Sequence, residues 1–418
     1  MKIFFCIISL IFVQQCFGFF GNYSSLPIGD LAAGMGGAAT SLVGDAAASP
    51  YYNPATLAKL PGSAFSASVG IYKKFDTVYG KEEDFTQAPL RINQGFFRSL
   101  PASTSSVIRY QDKMLALSIV VPDYELYRGD LHNDTTSTTT MTVLDESLWV
   151  GLAAAQSIDK DSSMGLTVYY TARSYTRSIN DRSVPTTSTA HFYSQEKTMT
   201  ENAIVPIFGY HKKLDDHWQI GTSFRPQGFK IAGKGSYFSS DMVADSAASP
   251  AVTINSVNES DLNVNVIVPM KGSIGITYQP DPSWTWTADL SLYEGSTYDD
   301  LKDSKYAARV IRKGVWNGAI GMEKAFREWL KLRLGAYTNF AAHPDPDISL
   351  GKYQEDHIDM LGFSANMTFV AGQKIAYTFG GYYNGGRGRA IQRISHVEEA
   401  VVKTQHIFTM LVGTSFYF

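Results

Sequence analysis

From about residue 63 to the end of the chain, hydrophobic and polar positions alternate with a period of two. In "KGSIGITYQ" (271–279), Gly272, Ile274, Ile276 and Tyr278 share one face, opposite Lys271, Ser273, Thr277 and Gln279. In "WTWTADLSLY" (284–293), Trp284, Trp286, Ala288, Leu290 and Leu292 oppose Thr285, Thr287, Asp289 and Ser291. "SMGLTVYY" (163–170), "WQIGTSFR" (218–225) and "LKLRLGAY" (330–337) repeat the rule, with Arg225, Lys331 and Arg333 on the polar face. Alternation of this kind predicts antiparallel strands with one apolar and one wet face.

The connections alternate too. Short turns fall at 111–113, 159–162, 213–218, 280–283, 326–329 and 371–373, and long polar stretches at roughly 75–90, 122–142, 173–199, 227–260, 295–311, 340–357 and 383–402. Six short and seven long connections predict fourteen strands. This is the rhythm of a transmembrane antiparallel β-barrel, whose periplasmic turns are short and outer loops long. The expected class is therefore an all-β barrel in the outer membrane of a Gram-negative-type bacterium, closed by a single chain as a monomer. An even strand count places both termini on the periplasmic side. The final "HIFTMLVGTSFYF" alternates Phe408, Met410, Val412, Phe416 and Phe418 with smaller or polar residues, as a closing strand facing lipid should. A soluble multi-sheet secreted protein gives no reason for the short-long rhythm or for the terminal Phe.

Composition agrees. The chain holds 24 Tyr, 24 Phe and 35 Gly, yet after the first residues no apolar run is long enough for a membrane helix. The first eighteen residues, "MKIFFCIISLIFVQQCFG", combine Lys2, an apolar Ile3–Val13 core and small residues before Phe19, the pattern of a cleaved signal peptide. Both cysteines, Cys6 and Cys16, lie in that leader, so the mature chain is expected to have no disulfide and no thiol chemistry. A net charge of −3 provides no strong field for nucleic acid, which is not an expected partner.

No catalytic motif is present: G-x-S-x-G, H-E-x-x-H and the phosphate-binding G-x-x-x-x-G-K-[ST] are all missing. The eight histidines are scattered, and no catalytic residue, metal ligand or cofactor is assigned. The acidic stretch 343–356 lacks the spacing of a calcium loop and reads as a solvated turn. Two clusters are candidate contacts for a carboxylate: Lys230 and Lys234 in "FRPQGFKIAGKGSYF", and Arg387 and Arg389 in "NGGRGRAIQR". On an outer loop the arginines could equally meet anionic lipopolysaccharide. Polar residues such as Lys271, Asp289, Asn317, Glu323, Lys331 and Arg333 are expected on the inner wall.

Residues 19–62 do not alternate. They are mostly Ala, Gly, Ser and Thr, which lets short helical turns lie close against a wall. Asn53-Pro54 is a helix start, with Asn as the capping side chain and Pro in the first turn, so "PATLAKL" is predicted helical up to Pro61-Gly62. Asp45 similarly caps "AAAS", with Pro50 expected to end that turn. Domains follow as 1–18 leader, 19–62 N-terminal plug, and 63–418 barrel.

"LAAGMGGAATSLVGDAAASPYYNPATLAKLPG" (31–62) resembles the N-terminal signature of the outer-membrane long-chain fatty acid transporters of the FadL/TodX type, and of the related PorV-type barrels. The similarity rests on the Gly-Met-Gly-Gly core at Gly34 to Gly37 and the Asn53-Pro54-Ala55 triplet. It extends at low identity through residues 100–123, 221–237, 269–291 and the last strand. The resemblance implies a fourteen-stranded barrel plugged by an N-terminal hatch, with passive uptake of a hydrophobic small molecule such as a fatty acid. Substrate would leave sideways beside a kinked strand. By the same resemblance Gly34, Gly36, Gly37, Asn53, Pro54 and Ala55 shape the hatch, and "FFRSLPAS" (96–103) is the candidate strand irregularity. The alternative implied is a PorV-type barrel that holds a secreted or surface protein and transports nothing.

Overall fold

The computed structural model describes residues 21–24, 26–80, 90–94, 100–133, 136–186, 189–302, 304–347, 349, 354–372, 374–394 and 397–418. The expected leader and part of the 96–103 stretch lie outside the described residues. The alternating segments form fourteen strands in chain order, each antiparallel to the next. These are β1 (Ala64–Gly80), β2 (Leu90–Gln94 and Leu100–Tyr110), β3 (Lys113–Asn133), β4 (Ser137–Ser157), β5 (Ser162–Thr186) and β6 (Thr189–Lys213). They continue as β7 (Trp218–Arg225 and Phe229–Asp245), β8 (Val252–Val264 and Lys271–Asp281), β9 (Trp284–Tyr293) and β10 (Val315–Arg327). The last four are β11 (Leu330–Asn339), β12 (His357–Ala371), β13 (Ile375–Ile394) and β14 (Val397–Tyr417). β14 pairs with β1 from Ala64↔Tyr417 to Gly80↔Val402, so the sheet closes and has no edge.

The faces fall as the pattern demands. Ile274, Ile276, Trp286, Leu290, Leu292, Leu334, Phe408 and Met410 are exposed on the outside, while Ser273, Thr277, Thr285, Thr287 and Arg333 are buried inside. A belt of exposed large apolar side chains around a barrel is the signature of a wall solvated by lipid. All six short turns lie where the sequence places them. The long polar stretches do not all behave as loops. β3 and β4 reach 21 residues and β5 and β6 reach 25, well beyond the roughly 9–11 residues that cross a bilayer. Most of 122–142, 173–199 and 383–402 therefore continues as paired hairpins. Beyond lipid neither face has to be apolar, so the alternation fades, while runs such as Thr138–Thr140 keep their strand preference.

The N-terminal segment runs through the lumen near the short-turn end. It holds two single-turn helices, α1 (Leu31–Gly34) and α2 (Ser49–Tyr52), and a 3₁₀ turn at Pro54–Lys59. The Asn53 side chain accepts the N–H of Ala55, as the capping argument requires. Asp45 joins two turns. Its Oδ1 accepts from Ala47 and Ala48 at 3.0 and 2.9 Å, and its Oδ2 from Leu31 and Ala32 at 2.9 Å each. Pro50 does not end a helix. It sits in the first turn of α2, where its missing N–H would have had no partner in any case.

An apolar cluster lies inside the barrel at the far end. Between β9 and β10 a short hairpin, Ser296–Asp299 paired with Arg309–Arg312, separates from the barrel sheet. Its Tyr298 and Val310 pack with Tyr175, Tyr193, Tyr237 and Val264 of the wall. Lys197 on β6 forms a fully buried ion pair with Asp300 beside this hairpin.

Candidate functional site

The N-terminal segment is seated against the wall at three pairs of facing glycines. Gly165 and Gly209 are cross-strand partners of β5 and β6. A Cβ on Gly165 would come within 2.5 Å of Pro54 C, and one on Gly209 within 2.1 Å of Asn53 Oδ1. Gly221 and Gly275 pair between β7 and β8, and a Cβ there would meet Thr40 O at 2.0 Å and Thr40 Cβ at 2.9 Å. Gly321 and Gly335 pair between β10 and β11, where Met35 Cβ at 2.6 Å and Gly36 N at 2.2 Å occupy the space. The missing side chains are what let one backbone lie directly on another.

Polar wall side chains complete the seat. Asp289 Oδ2 accepts the N–H groups of Ala39 and Thr40, both at 2.8 Å. Ser364 Oγ accepts from Gly36 N and donates to Gly34 O, each at 3.0 Å. Asn366 donates to Asp30 O at 2.6 Å, and Ser163 to Ala55 O at 3.0 Å. Asn53 Nδ2 donates to Thr40 O at 2.7 Å and to Tyr210 O at 2.9 Å. One asparagine thus ties two parts of the segment to each other and to β6.

Of the sequence-derived residues, Gly36 and Gly37 have φ of 69° and 82°, left-handed values that favour glycine. A Cβ on Gly34 would meet the Asn366 amide at 2.3 Å. Asn53, Pro54 and Ala55 are buried between segment and wall. The four candidate cations are not brought together. Lys230 Nζ donates to Val264 O, Lys234 pairs with Asp261 at 2.7 Å with both side chains exposed, and Arg387 and Arg389 are exposed on β13.

A different set of side chains meets above the segment. A chamber of about 50 Å³ lies between Tyr51 of α2 and the far-end cluster, with Tyr23, Trp149, Arg173, Arg225, Tyr293 and Arg312 on its walls. Tyr51 packs edge-on to Trp149 at 5.8 Å, and Tyr23 stacks on Tyr293 at 4.6 Å. The Arg225 guanidinium lies 5.5 Å from the Trp149 ring and that of Arg312 lies 5.4 Å from Tyr23, within cation–π range. Arg173 holds Asp145 through two bonds of 2.9 and 2.5 Å. Arg225 Nη2 reaches Pro269 O at 3.4 Å, while its Nε is buried without a hydrogen-bond partner among the described residues. Burial raises the phenol pKa of Tyr51 and of Tyr52, so both tyrosines stay neutral. Asp123 and Glu201 are the acids of the chamber. The sequence signal for Arg225 was its inward position at the end of "WQIGTSFR", just before Pro226. Of the other two chamber arginines, Arg173 opens the 173–199 stretch read as a loop and Arg312 directly follows the 295–311 stretch.

Backbone comparison places this architecture among solved structures. No family model matches the chain, and no curated relative matches it. Among crystal structures, a Pseudomonas aeruginosa FadL homologue superposes with a TM-score of 0.65 at 12% identity, covering 95% of this chain and 100% of that one. The chain has the FadL fold. The P. putida toluene transporter TodX gives 0.66 at 13% identity over 94% and 99% of the two chains. The Ralstonia pickettii toluene transporter TbuX gives 0.60 at 13% identity over 94% and 99%. The chain is thus similar over 94–95% of its length to FadL-fold barrels, at identities that carry architecture alone.

Proposed function

We propose that this FadL-fold chain is an outer-membrane channel for passive uptake of hydrophobic compounds. The observation that carries the reading is the lumen itself. It holds the N-terminal segment at one end, an apolar cluster at the other and, between them, a small chamber that sets aromatic rings beside charged side chains, a lining suited to an amphipathic guest. A water-filled porin needs a continuous polar bore. The similarity to transporters of toluene supports the same substrate class, and long-chain fatty acids are the amphipathic members of it.

In this reading residues 19–62 are a hatch and 63–418 the barrel, with the short turns and both termini periplasmic. Gly34, Gly36, Gly37, Asn53, Pro54 and Ala55 set how closely the hatch sits on the wall. At about 50 Å³ the chamber is smaller than an oleate or toluene molecule, so in this reading the side chains around it move apart when a ligand passes. Sideways exit is supported at β2. Among the described residues its ladder with β3 runs from Tyr110↔Lys113 to Ser103↔Val120, and the Leu90–Gln94 piece, though it lies beside β3, has a ladder with β1 alone.

Liposomes carrying the protein should take up labelled oleate and toluene and exclude a small sugar. Sugar flux without uptake of either hydrophobic probe would overturn the reading in favour of a porin. No flux of any probe, with a secreted protein co-purifying, would favour a binding barrel.

A further inference from the structure

Behind the Gly321/Gly335 pair, on the outside of the wall, the barrel surface dips into a groove of about 560 Å³. Its floor combines the two small side chains Ala288 and Ala336 and the bare backbone of Gly321 and Gly335 on either side of the protruding Ile320. Ala288 pairs with Ile320, which pairs with Ala336, and the glycine pair lies one residue along the same strands. Taller side chains, Trp286, Ile276 and Leu334, rise around it. The groove is lined almost entirely by carbon.

Just beyond the groove on the short-turn side, past the Trp286, Met322 and Leu334 row, the chemistry changes. Two and four residues from Ile320 toward the short turns, β10 presents Met322 and Lys324 on the outer face, and Lys324 pairs with Trp284. The Lys324 ammonium lies 4.4 Å from the Trp284 ring and donates to Ser283 Oγ at 2.8 Å. Trp218 stacks on Tyr278 at 4.3 Å in the adjacent row. Asp281, on the same turn, accepts from Ser283 N and Oγ at 2.7 and 2.5 Å. A tryptophan and tyrosine rim with a lysine is the composition of a membrane interface, and four strand residues put that cation about 13 Å from the groove floor.

We propose that this groove binds one anionic phospholipid of the inner leaflet, an acyl chain lying along Ala288, Ile320 and Ala336 and the phosphate at Lys324. The site is separate from the lumen, and it rests on the functional reading only in taking the short-turn end as periplasmic. A lipid held there backs the wall on which Met35 and Gly36 of the N-terminal segment press from inside.

The test uses the full protein in phosphatidylcholine vesicles containing increasing fractions of brominated phosphatidylglycerol or brominated phosphatidylcholine. The Trp286 signal is isolated as the difference from Trp286→Phe. Bromine quenching should reach half its maximum at roughly fivefold lower fraction of the anionic lipid. Lys324→Gln should abolish that preference, and Ala288→Leu, which fills the floor, should weaken quenching by both lipids. Equal half-points in the wild type, a preference that survives Lys324→Gln, or quenching unchanged by Ala288→Leu would each overturn the proposal. Because no transport is measured, failure of oleate and toluene uptake leaves this test intact.

Discussion

Asp289 Oδ2, on the inner face of β9, accepts the backbone N–H of Thr40 at 2.8 Å across a separation of 249 residues. The same oxygen accepts Ala39 N–H. Two backbone donors of an otherwise irregular segment thus depend on one wall carboxylate. Asp289→Ala should leave both without that acceptor and weaken seating of the segment by about 2–3 kcal/mol. Limited proteolysis from the short-turn side should then cleave within residues 31–60 while the barrel stays intact. Asp289→Asn keeps one acceptor oxygen and should fall between the two.

The glycine pairs make a sharper test, because space alone separates their effects. Gly209→Ala puts a methyl 2.1 Å from Asn53 Oδ1 and 2.8 Å from Pro54 Cδ. Overpacking of this kind costs about 1–3 kcal/mol, and the segment, with less paired backbone than the wall, should be the part that yields. Gly272→Ala meets nothing within 4 Å and should change stability by less than about 0.5 kcal/mol. Thermal unfolding in detergent, followed by loss of the heat-resistant gel band, compares the two directly.

The sequence disclosed the barrel because a lipid-facing wall imposes period two on every crossing strand, and Trp286 or Leu334 cannot turn inward without exposing Thr287 or Arg333 to lipid. Asn53 was legible for a local reason: its cap on Ala55 involves neighbours in the chain. The chamber was not legible. Arg173 lies in a stretch read as a loop, on β5, and Arg312 lies on the inner hairpin. They meet Tyr23 and Trp149 only once the barrel is closed and the hairpin is folded into it. Pro50 was misjudged because a proline that ends one turn and a proline that opens the next are alike in sequence.

Acidity should tighten the seat of the segment. Asp30 is buried, and its Oδ1 has no hydrogen-bond partner among the described residues. Burial first, and the neighbouring Asp45 carboxylate second, hold its pKa well above the ordinary 3.8. Burial also raises Asp45, against the N–H groups it accepts. The seated state therefore binds protons that the released state gives up, so its stability is greatest at low pH and is lost as pH rises through the raised values. Proteolysis of the segment should be slower at pH 5 than at pH 8. Asp30→Asn should flatten that difference, and a wild-type rate that is independent of pH would contradict the assignment.

Arg225 should distinguish the ligands that the chamber admits. Its guanidinium stands over Trp149 at 5.5 Å with Nε unpartnered among the described residues, so a donor is available beside an aromatic wall. A charge-assisted bond from such a donor contributes about 1.5–3 kcal/mol when it replaces no protein partner. Toluene has no acceptor to receive it. Arg225→Gln should therefore lower labelled oleate uptake into liposomes by roughly tenfold at pH 8, where the oleate headgroup is ionised, and change toluene uptake by less than about twofold. Parallel loss of both would mean that the substitution collapses the chamber. Loss of neither would place the carboxylate elsewhere, with the exposed Lys234, Arg387 and Arg389 next to be substituted.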